Sequence, residues 1–145
     1  MGKRSEYYKI APEAMKIMMR MEEYIKHTDI DPKVIELIKI RASQLNGCAF
    51  CLNMHAADAR KLGETEQRIY CVSVWEECVF YSSAEKVALE LTEHVTLIPH
   101  KRVPDQVYDR ARQHYGEKEY TDLIIIINQI NSWNRLSIAM GNEAE

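Results

Sequence analysis

The chain has 145 residues, of which 46% are apolar and 28% are charged, and its formal net charge is −3. This composition is typical of a folded globular protein, and the length suits one domain with a hydrophobic core better than two. No run of Lys and Arg is longer than two residues, so neither a nucleic-acid partner nor a polybasic membrane anchor is expected.

The helical signals recur along the chain, whereas strand signals do not. Apolar spacing predicts a first helix over residues 12–27. Asp31 offers an N-cap and the following proline suits a first turn, which predicts a second helix over Pro32–Asn46. A third helix is expected over residues 48–62, with Gly63 as the left-handed residue that ends it.

The second half of the chain carries four more helix signals, including a Ser-Ser-Ala-Glu sequence that fits a capping box. These helices are expected over residues 64–77, 82–96, 104–115 and 118–140. The run of isoleucines in the last segment has the length of a buried strand, but its apolar continuation favours a buried helix. The prediction is therefore all-α, with about six to seven helices in a single domain over residues 1–145.

The cellular setting is predicted from three further features of the sequence. Residues 1–21 lack the long apolar stretch and the small-residue cleavage site of a signal peptide. Apolar runs such as residues 123–127 are far too short to cross a bilayer. Four cysteines are too sparse for a secreted disulfide scaffold of this length. A cytoplasmic protein without a membrane partner is therefore expected.

The segment that carries chemistry is Cys48-Ala-Phe-Cys51-Leu-Asn-Met-His55. On a helix, Cys48, Cys51 and His55 fall on one face, which they share with apolar residues. Free backbone N–H groups and the positive end of the helix dipole favour a thiolate at Cys48. His55 lies one turn after Cys51 and can accept its proton. The spacing predicts a redox-active pair that can close a disulfide.

A carboxylate is expected to hold the imidazole of His55 in one tautomer. Asp58 lies one turn further along the same helix, and Glu36 lies on the preceding helix beside apolar residues. At Glu36 a partly buried carboxylate could relay protons. The alternative for Glu36 is a surface ion pair with Lys33 or Lys39.

The main chemical alternative is a zinc site, since two thiols and an imidazole are ligands that zinc accepts. A structural site needs a fourth ligand, which would have to come from a distant residue such as Cys71 or His100. Cys71 and Cys78 are instead predicted to be small core thiols. No metal is therefore expected, and the sequence has no Gly-rich nucleotide motif that would predict an organic cofactor.

Glu36 together with the segment from Cys48 to His55 resembles the AhpD-like alkylhydroperoxidases of the carboxymuconolactone decarboxylase superfamily. Three other stretches are similar as well, namely residues 39–47, 56–63 and 130–139. The resemblance therefore covers about residues 32–141. The resemblance implies an all-helical fold that assembles into homo-oligomers, often trimers or hexamers, with a dimer as the smaller alternative. Apolar residues outside the main face of the second helix, Leu37 and Ile40, independently favour subunit contacts.

The resemblance also implies a role for each site residue. Cys51 matches the cysteine that attacks peroxide, and Cys48 matches the resolving cysteine. His55 and Glu36 match members of the proton relay. The peroxidase form of the motif has a histidine at the position of Phe50, so one relay member is missing while the thiol pair is retained. Decarboxylase members lack the cysteine pair, so lactone decarboxylation is not expected.

The sequence thus predicts a thiol-dependent peroxidase or disulfide oxidoreductase that reduces hydroperoxides. Its reductant would be an external dithiol, in a thioredoxin-like or lipoyl-bearing partner, as the family implies. Two alternatives stay open. One is an oligomeric redox-sensing or binding protein with a regulatory Cys48–Cys51 disulfide, and the other is a structural zinc module.

Overall fold

The computed structural model describes residues 2–145, and every regular element in that range is helical. The elements in chain order are α1 (Tyr7–Ile10), α2 (Pro12–Lys26), α3 (Pro32–Asn46), α4 (Ala49–Lys61), α5 (Glu66–Tyr70), a 3₁₀ helix (Val72–Glu77), α6 (Ser83–Thr96), α7 (Ile98–Lys101), α8 (Asp105–His114) and α9 (Glu117–Ala139). The prediction of an all-α fold is confirmed.

The ten helices of residues 2–145 correct the predicted count of six to seven. The helices α1 and α7 are single turns of four residues, which are too short to show an apolar period. The segment predicted as one helix over residues 64–77 divides at Cys71 into α5 and the 3₁₀ helix. Val72 and Trp75 are both buried, and their spacing matches the three residues per turn of a 3₁₀ helix.

Helix ends lie where several local sequence signals place them. The Asp31 side chain accepts the backbone N–H of Lys33 at 2.8 Å and caps α3. Gly47 follows α3 with a φ of 70°, a left-handed conformation that glycine adopts without strain. Ser82 and Glu85 form the expected capping box before α6. The stop at Gly47 allows α4 to begin three residues after the end of α3.

The larger hydrophobic cluster lies where α3, α6, α8 and α9 pack together. Its fully buried side chains include Ile38, Leu91, Leu123, Ile126, Ile127 and Ile130. The isoleucine run is thus part of a buried helix, as the sequence predicts. Among residues 2–145, no helix has both the length and the apolar composition needed to cross a membrane.

A second, smaller cluster packs on another face of α3. Leu37 and Ile40 are fully buried there, together with Ala59 of α4. The expectation that Leu37 and Ile40 contribute to subunit contacts is therefore wrong, because elements of the same chain cover them. Cys78 is buried in this cluster and Cys71 packs against it. Burial raises the pKa of the Cys78 thiol, which favours its unreactive protonated form.

A buried polar network joins α9 to the end of α3. Asn134 is fully buried; its Nδ2 donates to Ser43 Oγ at 3.0 Å, and its Oδ1 accepts from Asn46 Nδ2 at 3.0 Å. Asn46 also donates to Asn131 Oδ1 at 2.9 Å. Because Asn46 lies two residues before Cys48, the network holds the turn that leads into α4.

Candidate active site

Cys48 and Cys51 lie at the start of α4, and their sulfur atoms are bonded to each other. Their Cα atoms are 5.4 Å apart, and the backbone N–H of Cys51 donates to the sulfur of Cys48 at 3.4 Å. Each residue is only 2% exposed. The structure therefore brings the two predicted cysteines together beside free helix N–H groups, which favour the thiolate once the bond is reduced.

The turn before α4 determines where the first sulfur lies. The backbone N–H of Cys48 donates to the carbonyl of Ser43 at 2.9 Å, which closes the end of α3. Cys48 itself has an extended backbone, with φ −88° and ψ 95°, so its side chain folds back over the first turn of α4. The sequence places the start of α4 at Cys48, whereas in the structure Cys48 is the cap and Ala49 the first helical residue.

His55 lies one turn after Cys51 and faces Glu36 of α3. Its Nδ1 is 3.0 Å from Oε2 of Glu36, and both side chains are largely buried, at 8% and 12% exposure. A carboxylate oxygen that accepts this hydrogen bond requires the neutral tautomer with the proton on Nδ1, in which Nε2 carries the lone pair, or the protonated imidazole. Asp58 is more distant, at 3.9 Å from Nδ1. Of the two carboxylates considered from the sequence, Glu36 is the one that pairs closely with His55.

Glu36 does not form the alternative ion pair with Lys33 or Lys39. Lys39 donates to Glu22 of α2 at 3.0 Å, and both side chains are largely buried. Glu36 is consequently left to the imidazole of His55. This pairing depends on how α3 packs on α4, which the sequence does not encode locally.

A cavity of about 410 Å³ opens beside Cys51, within the range of small-molecule sites. Cys51, His55 and Glu36 line it, whereas Cys48 is not part of its wall within the described chain. Much of the remaining wall is aromatic or apolar and comes from Tyr7, Tyr8, Phe50, Met54 and Trp133.

The two ends of the chain meet at this cavity. The backbone N–H of Arg4 donates to the carbonyl of Met140 at 2.8 Å, and the Asn142 side chain donates to the Tyr7 hydroxyl at 2.6 Å. These contacts hold α1 against the end of α9, where Tyr7 and Asn142 both face the cavity. The cavity wall thus combines elements from opposite ends of the sequence.

Sequence reasoning missed several polar residues of the cavity wall, among them Glu22 and Ser137. Glu22 accepts hydrogen bonds from Lys39 and, at 2.9 Å, from the indole N–H of Trp133. Ser137 of α9 is also in the wall and is buried. One signal was available, because Ser137 follows the buried Asn134 by three residues and so shares its face of α9.

The zinc alternative required two free thiolates and a distant fourth ligand. In the structure the two sulfurs are bonded to each other, and Cys71 packs against the second hydrophobic cluster. A different group of side chains could in principle bind a metal ion, because their ligand atoms lie within 4.8 Å of one another; they are Glu36, His55 and Asp58. The Glu36–His55 hydrogen bond already explains the closest contact in this group.

Comparison with known proteins identifies the family. The sequence profile of the carboxymuconolactone decarboxylase family matches residues 12–94. The chain belongs to this family. The chain is also similar in sequence to the uncharacterized protein YdfG of Bacillus subtilis. The two are 67% identical over 144 residues, and the alignment covers 99% of this chain and 98% of YdfG.

Similarity to solved structures supports the assignment of this chain to the AhpD-like branch of the carboxymuconolactone decarboxylase family. ATU0492 from Agrobacterium tumefaciens, a protein of unknown function named as a candidate AhpD antioxidant defence protein, superposes with a TM-score of 0.95. It is 36% identical, and the alignment covers 99% of this chain and 98% of ATU0492. The debrominase Bmp8 has a TM-score of 0.84 at 19% identity, covering 92% of this chain and 72% of Bmp8, and this likeness shows the fold alone. The predicted resemblance to AhpD-like proteins is confirmed.

Proposed function

We propose that the protein is an enzyme, a thiol-dependent peroxidase or disulfide oxidoreductase that reduces hydroperoxides with the Cys48–Cys51 pair. The observation that carries the proposal is the bonded pair at the N-terminus of α4, with Cys51, His55 and Glu36 all in the wall of one cavity. A buried dithiol, a base and a carboxylate that orients the base are the groups that such a reaction needs.

The cycle begins with the reduced pair. Nε2 of His55 accepts the proton of the Cys51 thiol, and Glu36 stabilises the imidazolium that forms. The thiolate attacks the terminal oxygen of the hydroperoxide, and the O–O bond breaks. The leaving alkoxide takes the proton from His55 and departs as an alcohol, which leaves a sulfenic acid on Cys51.

The second half of the cycle restores the pair. Cys48 loses its thiol proton and attacks the sulfur of the sulfenic acid, so that an S–S bond forms, the S–O bond breaks, and the leaving hydroxide takes up that proton to depart as water. An external dithiol then reduces the disulfide by thiol exchange and closes its own disulfide, which supplies the two electrons of the cycle. A thioredoxin-like or lipoyl-bearing protein has the required chemistry. No bound organic cofactor takes part in these steps.

Two observations favour Cys51 as the attacking residue. Cys51 lines the cavity, so a hydroperoxide bound there would meet its sulfur before that of Cys48. Cys51 also precedes His55 by one helical turn, whereas Cys48 precedes it by two. These are the roles that the resemblance implies for the two cysteines.

Replacing Cys51 with serine tests the proposal. With a small dithiol as reductant, Cys51→Ser is expected to lower peroxide consumption to the background rate, because a serine hydroxyl is a far weaker nucleophile. In a separate assay of the reduced protein without added dithiol, Cys48→Ser should consume about one equivalent of peroxide and then stop as a sulfenic acid. Cys71→Ser is the matched control and should keep the wild-type rate. Peroxide loss is followed with a colorimetric assay, and sulfenic acid with dimedone and mass spectrometry.

Three other results would contradict the proposal or favour one of the two alternatives. Equal rates for the wild type and Cys51→Ser would contradict the peroxidase proposal. A disulfide that forms and reopens reversibly without turnover would favour a redox sensor. Stoichiometric zinc in protein purified without added zinc would favour the structural zinc module.

We further propose that the protein works in the cytoplasm as a homo-oligomer. The outer face of α2 carries Ile17, Met21 and Tyr24, which are 58%, 37% and 44% exposed and repeat at helical spacing. A second copy of the chain would cover this apolar stripe.

Light scattering after size-exclusion chromatography is expected to give a multiple of the single-chain mass that corresponds to a trimer, a hexamer or a dimer. Ile17→Glu should shift the mass downwards because it places a charge in the stripe. Gln113→Glu, which adds the same charge on the exposed side of α8, should leave the mass unchanged. A wild-type monomer would contradict the proposal.

A further inference from the structure

The hydroxyl of Ser137 lacks a partner although it is buried. Ser137 is 4% exposed, and its Oγ has no hydrogen-bond partner among residues 2–145. Other helical hydroxyls of this protein donate to the carbonyl four residues earlier; examples are Ser43 at 2.7 Å, Thr92 at 2.7 Å and Ser132 at 3.1 Å. A buried polar group without a partner is costly, which is why such groups often mark a place where a ligand supplies the missing bond.

The position of Ser137 points to a ligand of the active-site cavity. Ser137 and Cys51 are in the wall of the same cavity, although they are 86 positions apart in the sequence. Trp133, one turn earlier on α9, and Phe50 contribute aromatic surface to that wall. A ligand that fills this space would meet apolar surface over most of its body, and it would lie against the residue whose buried hydroxyl lacks a partner.

The charges around the cavity restrict the ligand further. Three carboxylates line it, those of Glu22, Glu36 and Asp58, against the two ammonium groups of Lys26 and Lys39. The buried ammonium group, that of Lys39, is already paired with Glu22. An anionic ligand would therefore meet a slight excess of negative charge without an unpaired buried cation to compensate.

We propose that Ser137 is a substrate-binding residue, and that it hydrogen-bonds the oxygen of a neutral hydroperoxide, or of its alcohol product, whose apolar body fills the cavity. The inference rests on the proposed function for the identity of the ligand, but binding of the alcohol can be measured without turnover. Ser137 would select for a neutral oxygen-bearing molecule over both a hydrocarbon and an anion of similar shape.

The experiment compares three probes on the disulfide form of the full chain. The probes are 2-phenyl-2-propanol, tert-butylbenzene, in which a methyl group replaces the hydroxyl, and the para-carboxylate of the same alcohol. Dissociation constants are measured by titration with NMR detection. The alcohol is expected to bind about 3- to 10-fold more tightly than the hydrocarbon, the range for one hydrogen bond, and more tightly than the carboxylate.

Ser137→Ala should remove the preference for the alcohol over the hydrocarbon and leave hydrocarbon binding unchanged. Ser132→Ala, which removes an exposed hydroxyl from the same helix, should keep the wild-type preference. Thermal unfolding of Ser137→Ala without ligand should occur at the wild-type temperature or above it, since no hydrogen bond is lost. A structural role for Ser137 would instead lower that temperature.

Equal binding of alcohol and hydrocarbon by the wild type, or an unchanged preference in Ser137→Ala, would overturn the assignment of Ser137. So would a failure of all three probes to bind. Any of these results with peroxide turnover intact would leave the proposed function standing. Conversely, selective alcohol binding without turnover would support the Ser137 site and contradict the peroxidase proposal.

Discussion

Replacing His55 with alanine is expected to slow the oxidation of the reduced protein by an organic hydroperoxide about 100-fold at pH 7, the lower end of the range for general-base catalysis. The imidazole is the base closest in sequence to Cys51 on α4, and its Nδ1 is held by Glu36 at 3.0 Å. Without it, the thiol must ionise unaided. The rate is measured in a single turnover with limiting peroxide, as loss of free thiol.

The dependence of this rate on pH separates a missing base from a damaged fold. The deficit of His55→Ala should shrink as the pH rises beyond about 8.5, the ordinary pKa of a cysteine thiol, because hydroxide then removes the proton. Glu36→Gln should give a smaller deficit, since it keeps the shape but cannot stabilise the imidazolium. Asp58→Asn should react at the wild-type rate. A His55→Ala rate equal to that of the wild type at pH 7 would contradict the relay.

Replacing Asn134 with alanine is expected to lower the free energy of unfolding by about 2 kcal/mol. The substitution removes the acceptor for one Asn46 N–H and the donor to Ser43 Oγ, and it leaves a small cavity between α9 and α3. Because the network ends two residues before Cys48, the same variant should also form its disulfide more slowly. Denaturation by urea of the oxidised protein measures the stability.

The matched control for this prediction is Asn128→Ala, on the exposed side of α9. Replacing an exposed asparagine that belongs to no such network should change the free energy of unfolding by no more than about 0.5 kcal/mol. If Asn134→Ala were as stable as the control, the network could not be what holds the turn before α4.

The features that were predictable from the sequence are those that short-range rules govern. Asp31, Gly47 and Ser82 act on backbone groups within a few residues, so the ends of α3 and the start of α6 follow from local chemistry. The shared face of Cys51 and His55 follows from helical geometry alone. The structure places all of these features as the sequence predicts.

The features that were not predictable depend on contacts between distant parts of the chain. Single-turn helices such as α1 and α7 bury too few residues to leave a periodic pattern. On a helical wheel Leu37 and Ile40 lie outside the main apolar face of α3, and the 3₁₀ helix and α4 that cover them come later in the sequence. The cavity, with Ser137 in its wall, exists only after α9 has packed against α3 and α4.

The contact between the chain termini has a practical consequence for protein engineering. Tyr7 and Asn142 are joined by a hydrogen bond and both border the space beside Cys51. A purification tag or fusion partner attached next to either of these segments would therefore stand beside the cavity. Removing such a tag would change how openly the cavity beside Cys51 is reached, although the arrangement of Cys51, His55 and Glu36 on α3 and α4 would stay the same. Kinetic comparisons between variants therefore require identical, tag-free ends.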